Sequence, residues 1–561
     1  MRLFRNAHRA ILLTASLLSA CAAAGPSAET ARADNGGGVY GNYLSGRFAL
    51  AHGDFGVAAT DLLRALAANP DDPELLHQTF IACLNAGRAE AVTLARRLPS
   101  SQIAQLLLAN DAAKAGDWNL ATARFQALPR DGVMQLLQPL LLAWAQQGGG
   151  DTAGALATLG PFFDNPRFRP IAALHSALIA DIGNKPKEAA AFYQQAETEM
   201  RDNTPRPAMI FANWRARAGQ DAVAEQILAR LATEAPDVSI ALPAMVASIN
   251  KRPVARATDG MAEAYATFGG ALRSQEAGDF AMVMSRLALD LRPDFVPARL
   301  LAADIQTNAK HYDSALDLLN EAARSNDPLT PMIRLRRALV LDRLNRSDEA
   351  IREVERIGRD YPQSSLPDLQ LGELLRVKRR FSEAIAAYDR VITRIKQPTE
   401  SDWALFFSRG VAYERTGQWS RAEADLIQAL RLSPDQPSVL NYLGYSWADM
   451  GRNMEKARGM IERAAERRPN DGAITDSLGW ILYRQGRFGE AVKHLEKAAT
   501  LESQDATITD HLGDVYWAVG RKIEAHYQWR RALTLKPTPE DAVKLEAKIK
   551  NHPFGAIASG K

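Results

Sequence analysis

One pair of residues has the types and spacing of a nucleophile and its base. Ser248 and Lys251 form an S-x-x-K match, in which the lysine amine could take the proton of the serine hydroxyl. The match lies beside Pro253 in a stretch without a regular apolar period, so a chance match is the favoured interpretation. The sequence has no G-x-x-x-x-G-K-[ST], H-E-x-x-H or G-x-S-x-G motif, which excludes the commonest phosphate, zinc-hydrolase and nucleophile-elbow signals.

The histidines and Cys83 offer little further chemistry. His494, His511 and His526 are 17 and 15 residues apart, so no two of them share one face of a single helix. Surface histidines are therefore favoured over a zinc site, which usually shows closely paired ligands. Cys83 lies in an apolar helical stretch and is interpreted as a buried filler. We predict that the chain is not an enzyme and holds neither a metal nor a cofactor.

The composition is that of a folded, water-soluble protein with balanced charge. The 561 residues include 68 Lys plus Arg and 65 Asp plus Glu, with 47% hydrophobic and 24% charged residues. Such an even balance argues against nucleic-acid binding, and the hydrophobic fraction argues against both disorder and a polytopic membrane protein. Two cysteines exclude a disulfide framework.

The first twenty residues have the form of an export signal. Arg2, Arg5 and Arg9 precede an uncharged run from residue 10 to residue 20, which has eleven residues where a membrane-spanning helix needs about 20. Residues 1–20 contain no acidic residue, so their removal leaves 65 basic residues (68 less three) against 65 acidic ones. The formal charge of +3 therefore belongs to this segment.

The export signal ends in Leu-Ser-Ala-Cys at residues 18–21, which resembles the lipobox of bacterial lipoproteins. The resemblance implies that Cys21 becomes the lipidated N-terminus, and Ala22, which is not Asp, implies transfer to the outer membrane. The alternative is an ordinary secretory signal cleaved near residues 22–24, which would give a secreted or soluble periplasmic protein. Residues 25–38 are rich in Gly and small polar residues and are predicted to form a flexible tether, so that residues 21–38 are the lipidated cysteine with its tether.

The C-terminal half repeats itself with a period near 34 residues. Three series of small residues keep that spacing over four units: Gly410, Gly444, Gly479 and Gly513; Gly417, Gly451, Gly486 and Gly520; and Ala422, Ala457, Ala491 and Ala525. Apolar residues between these markers fall at helical intervals, so each unit is predicted to be two helices with a turn at the second glycine. A glycine inside a helix costs about 0.5–1 kcal/mol, which close approach of Gly444 to Ala457 in the paired helix would offset.

This pattern resembles that of the tetratricopeptide repeat (TPR) proteins. The last unit matches the repeat at Leu512, Gly513, Tyr516, Gly520, Ala525, Trp529, Ala532 and Pro537. Seven such units cover residues 296–537, and residues 538–561 are predicted to contain a capping helix and a tail. The resemblance implies an all-α solenoid, a right-handed superhelix of helix-turn-helix repeats.

The N-terminal half matches the repeat less well. Residues 39–240 are predicted to be degenerate TPR-like repeats, and residues 241–295 an irregular connector followed by a short repeat. Within these, residues 240–262 are predicted to be either a bend between two superhelical segments or merely a longer loop.

In TPR proteins the inner wall of the superhelix is lined by fixed positions of each first helix. The resemblance implies that the following residues form a partner-binding concave face: Phe407, Glu414, Arg415, Asn441, Tyr445, Asp449, Asp476, Trp480, Tyr483, Arg484, Asp510, Asp514 and Trp517. Trp, Tyr and Arg often carry interface energy, which favours protein recognition, although Trp480 or Trp517 could equally pack on a neighbouring repeat.

The block from residue 400 to residue 537 looks like the C-terminal part of proteobacterial outer-membrane TPR lipoproteins. Some of these act as adaptors that bring a periplasmic protease to cell-wall hydrolases. The expectation is a non-catalytic, lipid-anchored scaffold on the periplasmic face of the outer membrane. It binds proteins and no nucleic acid, and a homodimer is left open as its assembly. The alternatives are a TPR subunit of an envelope assembly or secretion machine, and an enzyme with its site in the N-terminal half.

Overall fold

The computed structural model describes residues 38–200, 204–273 and 277–552. Cys21, the export signal, most of the proposed tether and the tail from residue 553 lie outside these ranges. Within the described residues the regular structure is helical, without a β-strand. None of the described helices combines the length and the hydropathy that crossing a bilayer requires.

The N-terminal half consists of six consecutive helix pairs and one short extra helix. Their bounds are α1 (Val39–Ala51), α2 (Phe55–Ala68), α3 (Pro73–Asn85), α4 (Glu90–Ala95), α5 (Gln102–Lys114), α6 (Trp118–Gln126), α7 (Met134–Gly148), α8 (Thr152–Leu159), α9 (Arg169–Ile182), α10 (Pro186–Glu199), α11 (Pro205–Arg217), α12 (Asp221–Glu234) and α13 (Leu242–Ala247). Short 3₁₀ helices lie at Gly160–Asp164 and Pro236–Ala241.

The C-terminal half consists of eight further pairs and a final single helix. Their bounds are α14 (Ala257–Arg273), α15 (Gly278–Leu291), α16 (Val296–Asn308), α17 (Tyr312–Ala323), α18 (Thr330–Arg343), α19 (Ser347–Asp360), α20 (Leu366–Val377), α21 (Phe381–Arg394), α22 (Trp403–Arg415), α23 (Trp419–Leu432), α24 (Pro437–Asp449), α25 (Met454–Arg467), α26 (Gly472–Arg484), α27 (Phe488–Leu501), α28 (Ala506–Ala518), α29 (Lys522–Thr534) and α30 (Pro539–Asn551). A third 3₁₀ helix, Glu400–Asp402, precedes α22.

Two series of glycines explain the geometry of the last four helix pairs, from α22 to α29. A Cβ atom on Gly444 would lie 2.8 Å from Cγ1 of Ile461 and 3.0 Å from the carbonyl oxygen of Ala457, so only glycine lets α24 approach α25 this closely. The turn glycine of the same pair, Gly451, has a φ of +67°, a backbone conformation that L side chains rarely adopt. The predicted approach of Gly444 to Ala457 is thus confirmed.

The concave side of the N-terminal half is filled by the chain itself. The helices α14 and α15 pack against α3, α5, α7 and α9, which are first helices of their pairs. The indole of Trp144 lies directly against Gly260, where a Cβ would collide with the ring. The Tyr265 hydroxyl donates to Oδ1 of Asn110 at 3.1 Å, and Nζ of Lys114 pairs with Asp290 at 2.6 Å.

The turn between the two halves is held by hydrogen bonds. Nδ2 of Asn213 on α11 donates to the carbonyl oxygens of Ile249 and Lys251 at 2.6 and 3.1 Å, and Arg206 donates to that of Pro253 at 3.2 Å. Residues 240–262 include α13 and the start of α14, and the segment 248–256 between them is hydrogen-bonded to α11. Whether residues 240–262 act as a bend or only as a longer loop stays a prediction. Among the described residues of 241–295, helix is absent only at 248–256, 277 and 292–295, because α14 and α15 find apolar partners on the N-terminal helices.

The close approach at Gly444 predicts a measurable loss of stability. Replacing Gly444 with Ala should lower the free energy of unfolding by about 1–3 kcal/mol, because the new methyl group overlaps Ile461 and a backbone oxygen. Gly459, on α25, is a matched control with no atom within 4 Å of its virtual Cβ, and its replacement with Ala should add about 0.5–1 kcal/mol. Urea unfolding followed by circular dichroism measures both, and equal shifts for the two variants would contradict this packing.

Candidate functional site

The concave wall of α22, α24, α26 and α28 carries a cluster of aromatic rings. The Trp480 and His511 rings stack with centroids 3.9 Å apart and planes 14° apart, and Trp480 also stacks on Tyr483 at 5.0 Å. Tyr445 approaches the other side of α26 and lies 6.5 Å from the His511 ring. We call Tyr445, Trp480, Tyr483 and His511 the aromatic platform. Three helices contribute to it, so the platform exists only when consecutive repeats are stacked.

A buried ion pair fixes the base of the platform. Nδ1 of His511 on α28 lies 3.0 Å from both carboxylate oxygens of Asp476 on α26, and both side chains are buried. Burial alone would lower the pKa of His511, but Asp476, with Asp510 and Asp514 nearby, outweighs it and raises that pKa above 6.5. The protonated imidazole is therefore the form that the folded wall favours.

The last repeat of the wall is already occupied by α30. Nζ of Lys548 lies 2.7 Å from carboxylate oxygens of both Asp510 and Asp514, and the ring of His552 lies 4.0 Å from that of Trp517. Burial would lower the pKa of Lys548, but the two carboxylates raise it. Three of the thirteen residues predicted to bind a partner thus contact the chain's own C-terminal segment: Asp510, Asp514 and Trp517.

Farther upstream, the predicted residues join neighbouring repeats. The Tyr442 hydroxyl donates to Glu414 at 3.0 Å, and Glu414 also pairs with Arg415 at 3.3 Å. The ring of Phe407 meets that of Tyr442 edge-on at 5.6 Å. These contacts fix the spacing of α22 and α24, while the guanidinium of Arg415 stays exposed at the rim.

A second rim contact links α24 and α26. Nη1 of Arg484 lies 3.4 Å from Oδ1 of Asp449 and donates to the Asp449 carbonyl oxygen at 3.1 Å. Both side chains are exposed, so the pair contributes little to stability and can exchange its partner at low cost.

Two polar atoms on the wall are buried without a hydrogen-bond partner. They are Nε1 of Trp480 and Oδ1 of Asn441, a donor on α26 and an acceptor on α24. Buried polar groups are nearly always hydrogen-bonded in folded proteins, so an unpaired donor and acceptor on adjacent first helices require an explanation.

The other residues singled out by their chemistry are engaged in structure. The Ser248 hydroxyl donates to the carbonyl oxygen of Met245 at 3.2 Å. Cys83 is buried, as predicted, and burial raises the pKa of its thiol to about 12. The prediction of surface histidines is wrong for His511 and His526, which are both buried.

Sequence reasoning missed His511 as the base of the platform. Asp476 precedes Gly479 by three residues and His511 precedes Gly513 by two, so they occupy adjacent positions of successive first helices. Their separation of 35 residues, one repeat plus one residue, is the signal that could have paired them. A search for ligands within one helix overlooks this spacing, because neighbouring repeats bring their first helices side by side.

Family models for tetratricopeptide repeats match a continuous part of the chain. A model of a tetratricopeptide repeat-like domain matches residues 255–404, and a tetratricopeptide repeat model matches residues 407–472 and 449–507. The first match begins just before α14, the helix that fills the N-terminal half.

Two curated proteins are similar to parts of this chain. A TPR repeat-containing protein of Pseudomonas aeruginosa is 32% identical over 181 residues, which are 32% of this chain and 30% of that protein. A lipoprotein NlpI homolog of Haemophilus influenzae is 43% identical over 60 residues, which are 11% of this chain and 19% of that protein. The chain thus matches less than a third of either relative.

Among solved structures, a tetratricopeptide repeat protein from Parabacteroides merdae matches at 15% identity with a TM-score of 0.38, covering 45% of this chain and 96% of that one. The chain thus carries tetratricopeptide repeats over residues 255–404 and 407–507, where the family models match, and it resembles proteobacterial TPR lipoproteins.

Proposed function

We propose that this protein is a non-catalytic scaffold that binds protein partners on the concave wall formed by α22, α24 and α26. The observation that carries this proposal is the aromatic platform, in which Trp480 stacks between His511 and Tyr483. A peptide lying across the platform would cover its rings. Large aromatic side chains in partly desolvated surfaces are the residues that most often dominate binding energy.

The distribution of free surface supports the same wall. In the N-terminal half the first helices α3, α5, α7 and α9 are covered by α14 and α15, so their inner side is not available to a partner. In the last repeat, Lys548 forms ion pairs with both Asp510 and Asp514. The wall between these two covered regions keeps its platform and two exposed rim residues, Arg415 and Arg484. A partner segment with an apolar face and acidic flanks would suit this combination.

The proposed location is the periplasmic face of the outer membrane, with the acyl chains of Cys21 as the anchor. The lipobox-like residues 18–21 support it, and so does the similarity to a protein that is itself named a lipoprotein homolog. A scaffold held at a membrane raises the local concentration of what it binds. We propose that its partners belong to the envelope, as a periplasmic protease and cell-wall enzymes would if this chain acts as an adaptor.

Replacing Trp480 with Ala should weaken partner binding at least about tenfold, because it removes the centre of the platform. The chain can be purified from the detergent-solubilised membrane fraction after crosslinking through a photoreactive residue placed at Arg484. We expect crosslinked proteins that disappear in the Trp480→Ala background. Tyr527 is the matched control, since it is an exposed aromatic residue on α29. A crosslinking pattern that depends on Tyr527 and not on Trp480 would place the binding surface elsewhere.

Replacing Cys21 with Ala should release the protein from the membrane fraction, because the acylated residue is lost. Cell fractionation and immunoblotting measure the distribution. Cys83→Ala is the matched control and should leave the protein in the membrane fraction, because Cys83 is buried in the folded chain. Membrane retention of the Cys21→Ala protein would refute lipidation as the anchor.

The pKa of His511 predicts a pH-dependent stability of the C-terminal repeats. Folding raises this pKa above 6.5, so the stabilisation is complete below pH 6.5 and is lost as the pH rises through the raised value. The free energy of unfolding of the wild type, relative to His511→Gln, should therefore fall as the pH rises above 6.5.

A second histidine provides a control of opposite sign. Burial lowers the pKa of His494, so folding disfavours its charged form and the wild type should gain stability relative to His494→Gln as the pH rises. Urea unfolding at several pH values measures both differences. A flat profile for His511→Gln would show that the Asp476 pair does not stabilise the folded wall.

A further inference from the structure

The first helix of the solenoid exposes a stripe of large apolar side chains. Tyr40, Leu44 and Phe48 are 84%, 66% and 67% exposed. They are four residues apart on α1, so they lie along one face of the helix. We call these three residues the α1 stripe. Exposed apolar surface of this kind on a folded protein usually marks a contact with another surface.

The position of the stripe explains why it has no partner among the residues that the structure describes. Gly46 of α1 corresponds to Gly513 of α28, so Leu44 and Phe48 correspond to His511 and Val515, which are both buried. The same positions of α26, Ser477 and Ile481, are buried too. This is the face that a first helix turns to the preceding repeat. The described chain begins at α1, so the face stays uncovered, although terminal repeats normally carry polar residues there.

The sequence before α1 restricts what can cover the stripe. Residues 22–37 contain no Val, Ile, Leu, Met, Phe, Tyr or Trp, so they offer no bulky apolar side chain to pack on it. They do, however, connect α1 to Cys21. A chain of this length reaches at most about 60 Å when fully extended, so an acylated Cys21 would keep α1 within that distance of the lipid surface.

The charges of α1 suit a lipid surface. The helix carries one ionised side chain, Arg47, and no carboxylate. The nearby carboxylate of Asp61 accepts a hydrogen bond from the Ser45 hydroxyl at 2.7 Å. Tyrosine and phenylalanine are also well matched to the boundary between headgroups and acyl chains, where one end of the tyrosine ring stays hydrated.

We propose that the α1 stripe lies on the membrane surface and orients the solenoid relative to the bilayer. This inference rests on the proposed lipid anchor, which brings α1 to the membrane. Two contacts, the acyl chains and α1, then hold the protein in one orientation, because the second contact is made at the high local concentration set by the first. The concave wall of α22, α24 and α26 would thus face a fixed direction in the periplasm.

A single fluorescent label tests this contact. In the Cys21→Ala background Leu44→Cys is labelled with the environment-sensitive dye NBD, while Cys83 does not react because it is buried and its thiol pKa is raised to about 12. The matched control is the same label on Val377→Cys, a 62% exposed apolar position on α20. Both proteins are titrated with vesicles of phosphatidylethanolamine and phosphatidylglycerol, and the acylated chains are measured in the same vesicles.

We expect the label at position 44 to shift to the blue and to brighten by about twofold or more on vesicles, while the label at position 377 does not change. The double variant Leu44→Gln, Phe48→Gln should bind the vesicles about tenfold more weakly without its circular dichroism changing. An acylated protein that floats with vesicles while its position-44 label stays in water would overturn the inference. So would a blue shift that grows with protein concentration in the absence of lipid, which would instead identify a second copy of the chain as the occupant.

These outcomes are independent of the other two experiments. If lipidation is not the anchor, the fractionation of Cys21→Ala shows it. If the concave wall does not bind partners, the crosslinking of Trp480→Ala shows it. Vesicle binding by the unacylated chain tests α1 in either case.

Discussion

The contact between the two helices of each repeat is the constraint on which the rest of the structure depends. Where Gly444 meets Ala457 and Ile461, the backbone of one helix lies directly on its neighbour, and a single added carbon would separate them. The same contact recurs at Gly479 against Leu495 and at Gly513 against Trp529. Because these pairs pack so closely, successive first helices come close enough for side chains on three of them to touch, and the aromatic platform exists only under that condition.

The two halves of the chain use their inner surfaces differently. In the N-terminal half, α14 and α15 fill the concave side, so that Trp144 and Tyr265 become core residues. In the C-terminal half, Lys548 of α30 and the adjacent His552 cover the last repeat, and the 3₁₀ helix Pro236–Ala241 contacts α18. The surface left between them combines stacked rings, an unpaired donor and an unpaired acceptor. The inner surface is therefore covered in the N-terminal half and open on the wall of α22, α24 and α26. The exposed α1 stripe lies at the opposite end of the sequence.

Buried polar groups on this wall serve two purposes. The ion pair of His511 with Asp476 is satisfied within the chain, and it places the imidazole under the Trp480 ring. The indole nitrogen of Trp480 itself has no partner. If the wall binds a peptide as proposed, the fixed base of the platform keeps the loss of order on binding small.

The sequence by itself determined the repeat. The glycine and alanine series report local packing within one pair, so they predicted the helices, the turns and the contact of Gly444 with Ala457. The resemblance of the sequence to TPR proteins also placed Trp480, Tyr445 and Arg484 on the first helices. Only the tertiary structure decided which inner surface stays open, because the packing of α14 against α7 and of Lys548 against Asp510 and Asp514 depends on superhelical curvature. That curvature is the sum of small rotations between repeats, and no single residue or spacing encodes it.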